Sequence, residues 1–215
     1  MKQNLNNIRK ENTNISFKRK IINTILITLL GISLGLFSKW LDDIAIDNTI
    51  WWNNIIETLD LGNFFSDMAI WLLIALIISV KSKSPIRASI NVFIFLLGMN
   101  ISYHLYTIIF SGFNPENYMM IWYGLTIISP VIAYACWYSK SENKISIIIS
   151  SIITFIMSSS CFKTGMWYVN SKGILYTTTF ILSLLVVQKK PKILSIIVII
   201  GFILSMMIRI PFISG

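Results

Sequence analysis

The chain has 215 residues, of which 55% are hydrophobic and only 13% are charged. Its mean hydropathy is +0.71. This composition excludes a soluble globular protein, which needs more polar surface, and predicts a membrane protein whose main partner is the lipid bilayer. The net charge of +9 does not predict nucleic-acid binding, because nearly all the basic residues lie between apolar segments, where they indicate topology.

The N-terminal segment 1–20 is polar and carries six Lys and Arg residues against a single acid, Glu11. The apolar run after it is as long as a full membrane span and has no small-residue cleavage site. Segment 1–20 is therefore predicted to be a basic cytoplasmic tail rather than a signal peptide.

Seven apolar segments follow the tail. They predict an all-α fold: a polytopic transmembrane helical bundle of seven spans, with six as the alternative, in one domain over 21–212. The predicted spans are 21–40, 62–80, 88–110, 118–138, 145–162, 173–187 and 193–212. Fourteen of the eighteen Lys and Arg residues fall in the tail and in every second loop, while most acids fall in the other loops. This alternation predicts that the N-terminus is inside and the C-terminus outside.

Loop 41–60 separates the first two spans and mixes acidic residues with apolar and aromatic ones. We expect an outer loop with a short interfacial helix, in which Trp51 and Trp52 lie at the depth of the lipid headgroups. Asp43 and Asp47 are four residues apart on one helical face, which raises a metal-binding interpretation. Without a second acidic motif a solvated acidic face explains them better, so neither a metal nor a cofactor is predicted.

Small residues and a proline are predicted to control helix packing. Gly31 and Gly35 form a small-xxx-small motif in the first span, which serves either an ordinary internal helix contact or a docking face for a membrane partner protein. Pro130 lies near the centre of the fourth span and is expected to kink it. The carbonyl that Pro130 leaves free one turn earlier is expected to need a partner from a neighbouring helix.

The third span is the most polar of the seven, with Asn91, Asn100, Tyr103 and His104. At about 100° per residue, Asn100 and His104 lie about 40° apart on one face, whereas Asn91 lies on the opposite face. Both faces are therefore expected to contact protein, which places this helix centrally in the bundle. Its polar groups either form interhelical hydrogen bonds or build a ligand or proton site.

A polar cluster is predicted near the outer surface, where Asp67, His104 and Arg209 reach similar depth. An isolated charge there costs about 2 to 3 kcal/mol, and a carboxylate paired with a guanidinium offsets much of that cost. One interpretation pairs Asp67 with Arg209 and places His104 within one water of them. In the other, Arg209 reaches the headgroups and Asp67 caps its helix.

Two resemblances add to these patterns. The segment Gly62-Asn-Phe-Phe-Ser-Asp-Met-Ala-Ile-Trp71, the basic hinge after it, and Leu97-Gly-Met-Asn100 with Tyr103 resemble a small group of bacterial multi-pass membrane proteins that brings no known activity. That resemblance implies the bacterial cytoplasmic membrane. The chain is more loosely similar to the substrate-binding membrane subunits of energy-coupling-factor transporters, through its length, its small-xxx-small motif and its long outer loop. Those subunits have six spans and usually carry alanines in that motif.

The common catalytic and nucleotide-binding motifs are absent from the sequence, so an intramembrane enzyme is the least favoured class. The leading hypothesis is a non-enzymatic component that binds or transports a small solute, with loop 41–60 as a lid and Asn100, Tyr103 and His104 as pocket floor. The alternative is a structural, immunity or assembly protein that uses the same groups between helices. The first predicts an outer cavity on the order of a few hundred cubic ångströms beside the third span, and the second predicts a closed bundle.

Overall fold

A computed structural model describes residues 8–11, 16–44, 51–141, 143–187 and 189–210 of the protein. Over these ranges the chain folds into α-helices and one short hairpin. The helices are α1 (Phe17–Asp43), α2 (Trp51–Thr58), α3 (Leu61–Ser66), α4 (Met68–Lys81), α5 (Pro85–Tyr106), α6 (Glu116–Trp137), α7 (Lys144–Cys161), α8 (Ile174–Val187) and α9 (Pro191–Met207). α5 continues into a π-helical turn, Thr107–Ser111, and α6 into a 3-10 turn, Tyr138–Lys140.

Four of the helices are long and apolar enough to cross a membrane. They are α1, α5 with its π-helical turn, α6 with its 3-10 turn, and α7. The helices α4, α8 and α9 are also apolar but have only 14, 14 and 17 residues. A helix of 14 residues is about 21 Å long, against about 30 Å for the hydrocarbon core of a bilayer. The long apolar helices indicate a membrane protein, as the composition predicts.

Capping residues set several helix starts. Ser84 accepts a hydrogen bond from the backbone N–H of Arg87 at 3.3 Å, and Pro85 occupies the first helical position of α5. Asn143 caps α7 in the same way, through the backbone N–H of Ser146 at 2.9 Å. Polar residues in the turns therefore fix where α5 and α7 begin.

Short connections reverse the chain between successive long helices, so the helix ends collect at two faces of the bundle. We call one the basic end; it contains the turns after α4, α6 and α8, with Lys81, Lys83, Lys140, Lys144, Lys189 and Lys190. We call the other the acidic end; it contains Asp42, Asp43 and Asp67. Most of these charged residues therefore separate by sign along the bundle axis, as the loop pattern predicts, while Lys39 and Lys172 lie at the acidic end.

α1 packs along α5 with the two backbones in direct contact. A Cβ atom on Gly31 would lie 2.3 Å from the carbonyl oxygen of Phe95, and one on Gly35 would lie 2.3 Å from that of Met99. The absence of a side chain is what lets the helices approach this closely. The face that was expected either to pack internally or to receive a partner protein is therefore packed against α5 of the same chain.

A second close contact joins α7 to α9. A Cβ atom on Gly201 would lie 2.7 Å from Cγ2 of Thr154, and the hydroxyl of Ser158 donates to the carbonyl of Gly201 at 3.3 Å. Helix α4 packs against α5, α6, α7 and α8. The third predicted span, α5, was expected at the centre of the bundle, and α4 shares that position because it contacts all of these helices.

The helices differ from the predicted spans chiefly at two places. The segment 62–80 is divided into α3 and α4, because Asp67 has an extended backbone (φ −86°, ψ 159°). The last helix ends at Met207 rather than continuing to 212, in keeping with the proline that follows at 211, outside the described residues. The connection between α7 and α8, for which no span was predicted, is an antiparallel hairpin of β1 (Phe162–Gly165) and β2 (Tyr168–Ser171).

Pro130 lies inside α6, which continues beyond it to Trp137. Because proline has no N–H group, the carbonyl of Thr126 loses its usual helical partner. The hydroxyl of Ser129 donates to that carbonyl at 2.8 Å. The expected partner from a neighbouring helix is therefore wrong, since the donor comes from α6 itself. Ser89 of α5 instead donates to the carbonyl of Pro130 at 2.7 Å.

Loop 41–60 carries a short helix, α2, and Trp51 and Trp52 are both exposed. Asp47, the second acid of the metal-binding interpretation, lies outside the described residues. Asp43 belongs to the acidic end and is paired with a lysine, as described below.

Candidate functional site

A small cavity lies at the acidic end among α1, α4, α5 and α6. Its volume is about 20 Å³, and Asn100 and Tyr103 are among the residues that line it. This is about the space that one water molecule needs. His104, Asp67 and Arg209 do not line the cavity. The structure therefore brings together two of the five side chains that were predicted to form a polar site.

Helix α3 closes one side of this cavity. The carbonyl of Phe65 accepts hydrogen bonds from Nε1 of Trp71 at 2.8 Å and from the hydroxyl of Ser38 at 3.3 Å. The next residue, Ser66, donates from its hydroxyl to Asp42 at 2.6 Å. Hydrogen bonds with both α1 and α4 therefore hold α3 over the cavity.

Asn100 and Tyr103 both form hydrogen bonds to neighbouring helices. The amide nitrogen of Asn100 donates to the carbonyl of Trp122 at 3.1 Å and to the hydroxyl of Thr126 at 2.7 Å. The hydroxyl of Tyr103 donates to Asp42 at 2.7 Å. Asn100 therefore joins α5 to α6, and Tyr103 joins α5 to α1.

Lys39 is a member of this region that sequence reasoning missed. Its side chain is buried, and Nζ lies 2.6 Å from Oδ1 of Asp43. The other oxygen of Asp43 accepts a hydrogen bond from the hydroxyl of Ser111 at 2.7 Å. The rings of Tyr103 and Phe113 lie 5.9 and 5.7 Å from the ammonium group. Lys39 could be recognised in the sequence only as a loop charge, because three of these neighbours come from distant parts of the chain.

His104 lies apart from the cavity and faces α6 and the loop before it. Its Nε2 lies 2.7 Å from the side-chain oxygen of Asn114, which can only accept, so Nε2 carries the proton. Nδ1 lies 3.1 Å from the hydroxyl of Tyr123. The amide nitrogen of Asn114 donates to Glu116 at 2.9 Å. Both ring nitrogens are therefore engaged within the protein.

Asp67 pairs with Lys172 and not with Arg209. One carboxylate oxygen accepts the backbone N–H of Met68 at 2.6 Å, and the other lies 3.0 Å from Nζ of Lys172. The residues that the structure describes contain no ion pair between Asp67 and Arg209, whose side chain is exposed beyond the end of α9. The predicted Asp67–Arg209 pair is thus replaced by one between α4 and the turn that precedes α8.

Asn91 lies at the basic end, far along α5 from Asn100. Its amide nitrogen donates to the hydroxyl of Ser82 at 3.1 Å, and its oxygen accepts from Arg87 at 3.3 Å. Arg87 also donates to the carbonyl of Lys20 at 2.9 Å and to the hydroxyl of Thr24 at 2.7 Å. These contacts tie the starts of α1 and α5 to the end of α4.

The hydrogen bonds and ion pairs of the acidic end limit the reactions that its side chains can perform. Its candidate acids, bases and amides already form contacts inside the protein, and the space between them holds about one water. Within the described ranges, no group of three or more His, Cys, Asp or Glu residues is placed to hold a metal ion. The arrangement is suited to holding helices together.

No family model, curated protein or solved structure matches the chain. The resemblances to bacterial multi-pass proteins and to transporter subunits therefore stay predictions. The geometry of the two bundle ends carries the functional interpretation.

Proposed function

We propose that this chain is a non-enzymatic, seven-span protein of the bacterial cytoplasmic membrane that acts as a structural, immunity or assembly component. In this proposal its N-terminus is cytoplasmic. The observation that carries it is the closed acidic end, where the polar groups predicted to receive a solute are bonded between helices around a cavity of about 20 Å³. Polar groups that are satisfied in this way orient helices in a bilayer.

Binding or transport of a small solute is the alternative proposal. It would need α3 to leave Trp71 and Ser38 and the pair Tyr103–Asp42 to separate, so that a cavity on the order of a few hundred cubic ångströms opens. The hydrogen bonds of α3 and the burial of Asn100 favour the closed state.

Accessibility of Ser38 distinguishes the two proposals. Ser38 lines the cavity and is 2% exposed, and Ser38→Cys changes the side chain little. In a chain without its native thiols (Cys136→Ser, Cys161→Ser), we expect Ser38→Cys to resist a membrane-impermeant maleimide over hours. The matched control is Phe113→Cys at the same end, which should react within minutes because Phe113 is 55% exposed. Reaction of both positions at similar rates would support an opening bundle and contradict the structural role.

The separation of the basic and acidic ends supports the seven-span topology. So do the additional elements that adjoin two of the short helices, since α3 directly precedes α4 and the hairpin precedes α8. Trp167 at the hairpin turn is 90% exposed and would lie outside, while Lys192 at the start of α9 would lie inside.

Labelling from one side tests this topology. In intact cells, we expect Trp167→Cys to react with an impermeant maleimide and Lys192→Cys to react only after the cells are opened. Trp167 and Lys192 lie at opposite ends of the bundle whatever its orientation in the membrane. Reaction of Lys192→Cys alone would therefore indicate the orientation opposite to the proposed one. Reaction of both in intact cells would contradict the seven-span arrangement.

A further inference from the structure

The basic end contains a pocket that neither the sequence patterns nor the proposed function uses. It lies between the ends of α4 and α6 and the N-terminal segment 8–11, and its volume is about 410 Å³. Five cations line it: Arg9, Lys10, Lys81, Lys83 and Lys140. None of its lining residues is acidic, and the four lysines are exposed. The pocket therefore concentrates positive charge and is suited to bind an anionic group.

Arg9 lies at the base of this pocket and is held there by contacts with α4 and α6. Its guanidinium donates to the carbonyl of Trp137 at 2.6 Å and to the carbonyl of Val80 at 2.9 Å, and it lies 4.1 Å from the centre of the Trp137 ring. Both carbonyls are at helix C-termini, where the helix dipole attracts a cation. The N-terminal segment is thereby held against the bundle, which distinguishes this pocket from a set of unconnected surface lysines.

An apolar cavity of about 170 Å³ lies next along the same two helices, among α4, α5, α6 and α7. Ser79 and Cys136 line the apolar cavity, and the residues after them, Val80 and Trp137, line the basic pocket. A cavity of about 150 Å³ with apolar walls is large enough to hold a benzene molecule. The apolar cavity can therefore receive a segment of hydrocarbon chain.

The hydroxyl groups at this cavity do not make it polar. Ser79 donates to the carbonyl of Ala75 at 2.7 Å, and Thr126 donates to the carbonyl of Trp122 at 2.9 Å. Ser129, as described above, donates to Thr126. With these groups satisfied inside their own helices, the cavity offers its occupant mainly apolar surface.

We propose that the two pockets together form a binding site for an anionic phospholipid, whose phosphate lies among the cations of the basic pocket and whose acyl chain enters the apolar cavity. Basic pockets between membrane helices bind anionic headgroups, and each Lys or Arg strengthens such binding. The adjoining apolar cavity favours a lipid over a free phosphate. In the proposed topology the lipid belongs to the cytoplasmic leaflet.

The purified full-length protein tests this site by native mass spectrometry in detergent, with a phosphatidylglycerol, a phosphatidylcholine or glycerol phosphate added. We expect phosphatidylglycerol to remain bound and the other two to bind at least about tenfold more weakly. Lys10→Gln with Lys140→Gln should weaken phosphatidylglycerol binding about tenfold or more, since it removes two cations. The control pair Lys18→Gln with Lys192→Gln removes two exposed lysines of the same end outside the pocket and should leave binding unchanged.

A second pair of variants tests the acyl-chain part. Ala75 lines the apolar cavity and Ala135 is exposed on α6. Ala75→Leu should reduce retention of the lipid severalfold, whereas Ala135→Leu should not. Equal binding of phosphatidylcholine, equal binding of glycerol phosphate, or equal loss in the control lysine pair would each overturn the proposal. All variants must elute as the wild type does, since misfolding alone would also release lipid.

Discussion

Replacing Gly31 with alanine is expected to lower the free energy of unfolding by about 3 kcal/mol, within the upper range for overpacking a tight contact. The added Cβ would lie 2.3 Å from the carbonyl oxygen of Phe95, and that oxygen belongs to a rigid helix backbone. α1 and α5 would have to move apart along their whole contact, which includes Gly35 and Met99. Gly31→Leu should abolish folding of the bundle. The measurement is the thermal midpoint of the purified protein, followed by size-exclusion elution.

Gly124 supplies the matched control for this prediction. It lies in α6, and a Cβ built there meets nothing within 4 Å. Gly124→Ala should leave the midpoint unchanged or raise it slightly, because alanine favours helix more than glycine does. Equal changes in the thermal midpoint for Gly31→Ala and Gly124→Ala would contradict the close packing of α1 on α5.

Replacing Asp67 with asparagine is expected to destabilise the protein by about 2 kcal/mol, since it leaves a largely buried ammonium group without its counter-charge. The side chain of Lys172 is only 10% exposed and lies 3.0 Å from Asp67. Asparagine keeps an oxygen that can cap α4, so the loss reports mainly on the ion pair. The double variant Asp67→Asn with Lys172→Met should recover part of this loss, and chemical unfolding in mixed micelles measures all of the variants.

Arg209 is the control that separates the observed pair from the one predicted from sequence. Arg209→Gln removes a charge from an exposed side chain beyond α9 and should change the stability by less than about 0.5 kcal/mol. Additive losses for Asp67→Asn and Lys172→Met, or coupling of Asp67→Asn to Arg209→Gln instead, would contradict the assignment of Lys172.

The helices could be predicted because hydropathy marks a membrane helix directly. α7, for example, occupies Lys144–Cys161 where 145–162 was predicted. The hairpin could not be predicted in this way. Each of its strands has four residues, and its turn residues, Met166 and Trp167, are not the Asn-Gly or Asp-Gly pairs that usually indicate a two-residue turn.

The acidic end shows why individual contacts were harder to predict than helices. Counting residues along a helix gives the depth of a side chain in the membrane. By depth alone, both Lys172 and Arg209 could pair with Asp67. Depth does not say which helices are neighbours. In the structure α4 packs against α8, and Lys172 lies just before α8. The same limit applies to Asn100, whose partners on α6 depend on how α5 and α6 are rotated.

The pairing of α1 with α5 also sets an order of events during synthesis. The hydroxyl of Ser102 reaches the carbonyl of Ile32, which is 70 residues earlier. At about 5 to 20 residues per second, roughly 4 to 14 s separate the emergence of these two segments from the ribosome. During that time the glycine face of α1, with Gly31 and Gly35, has no α5 to cover it.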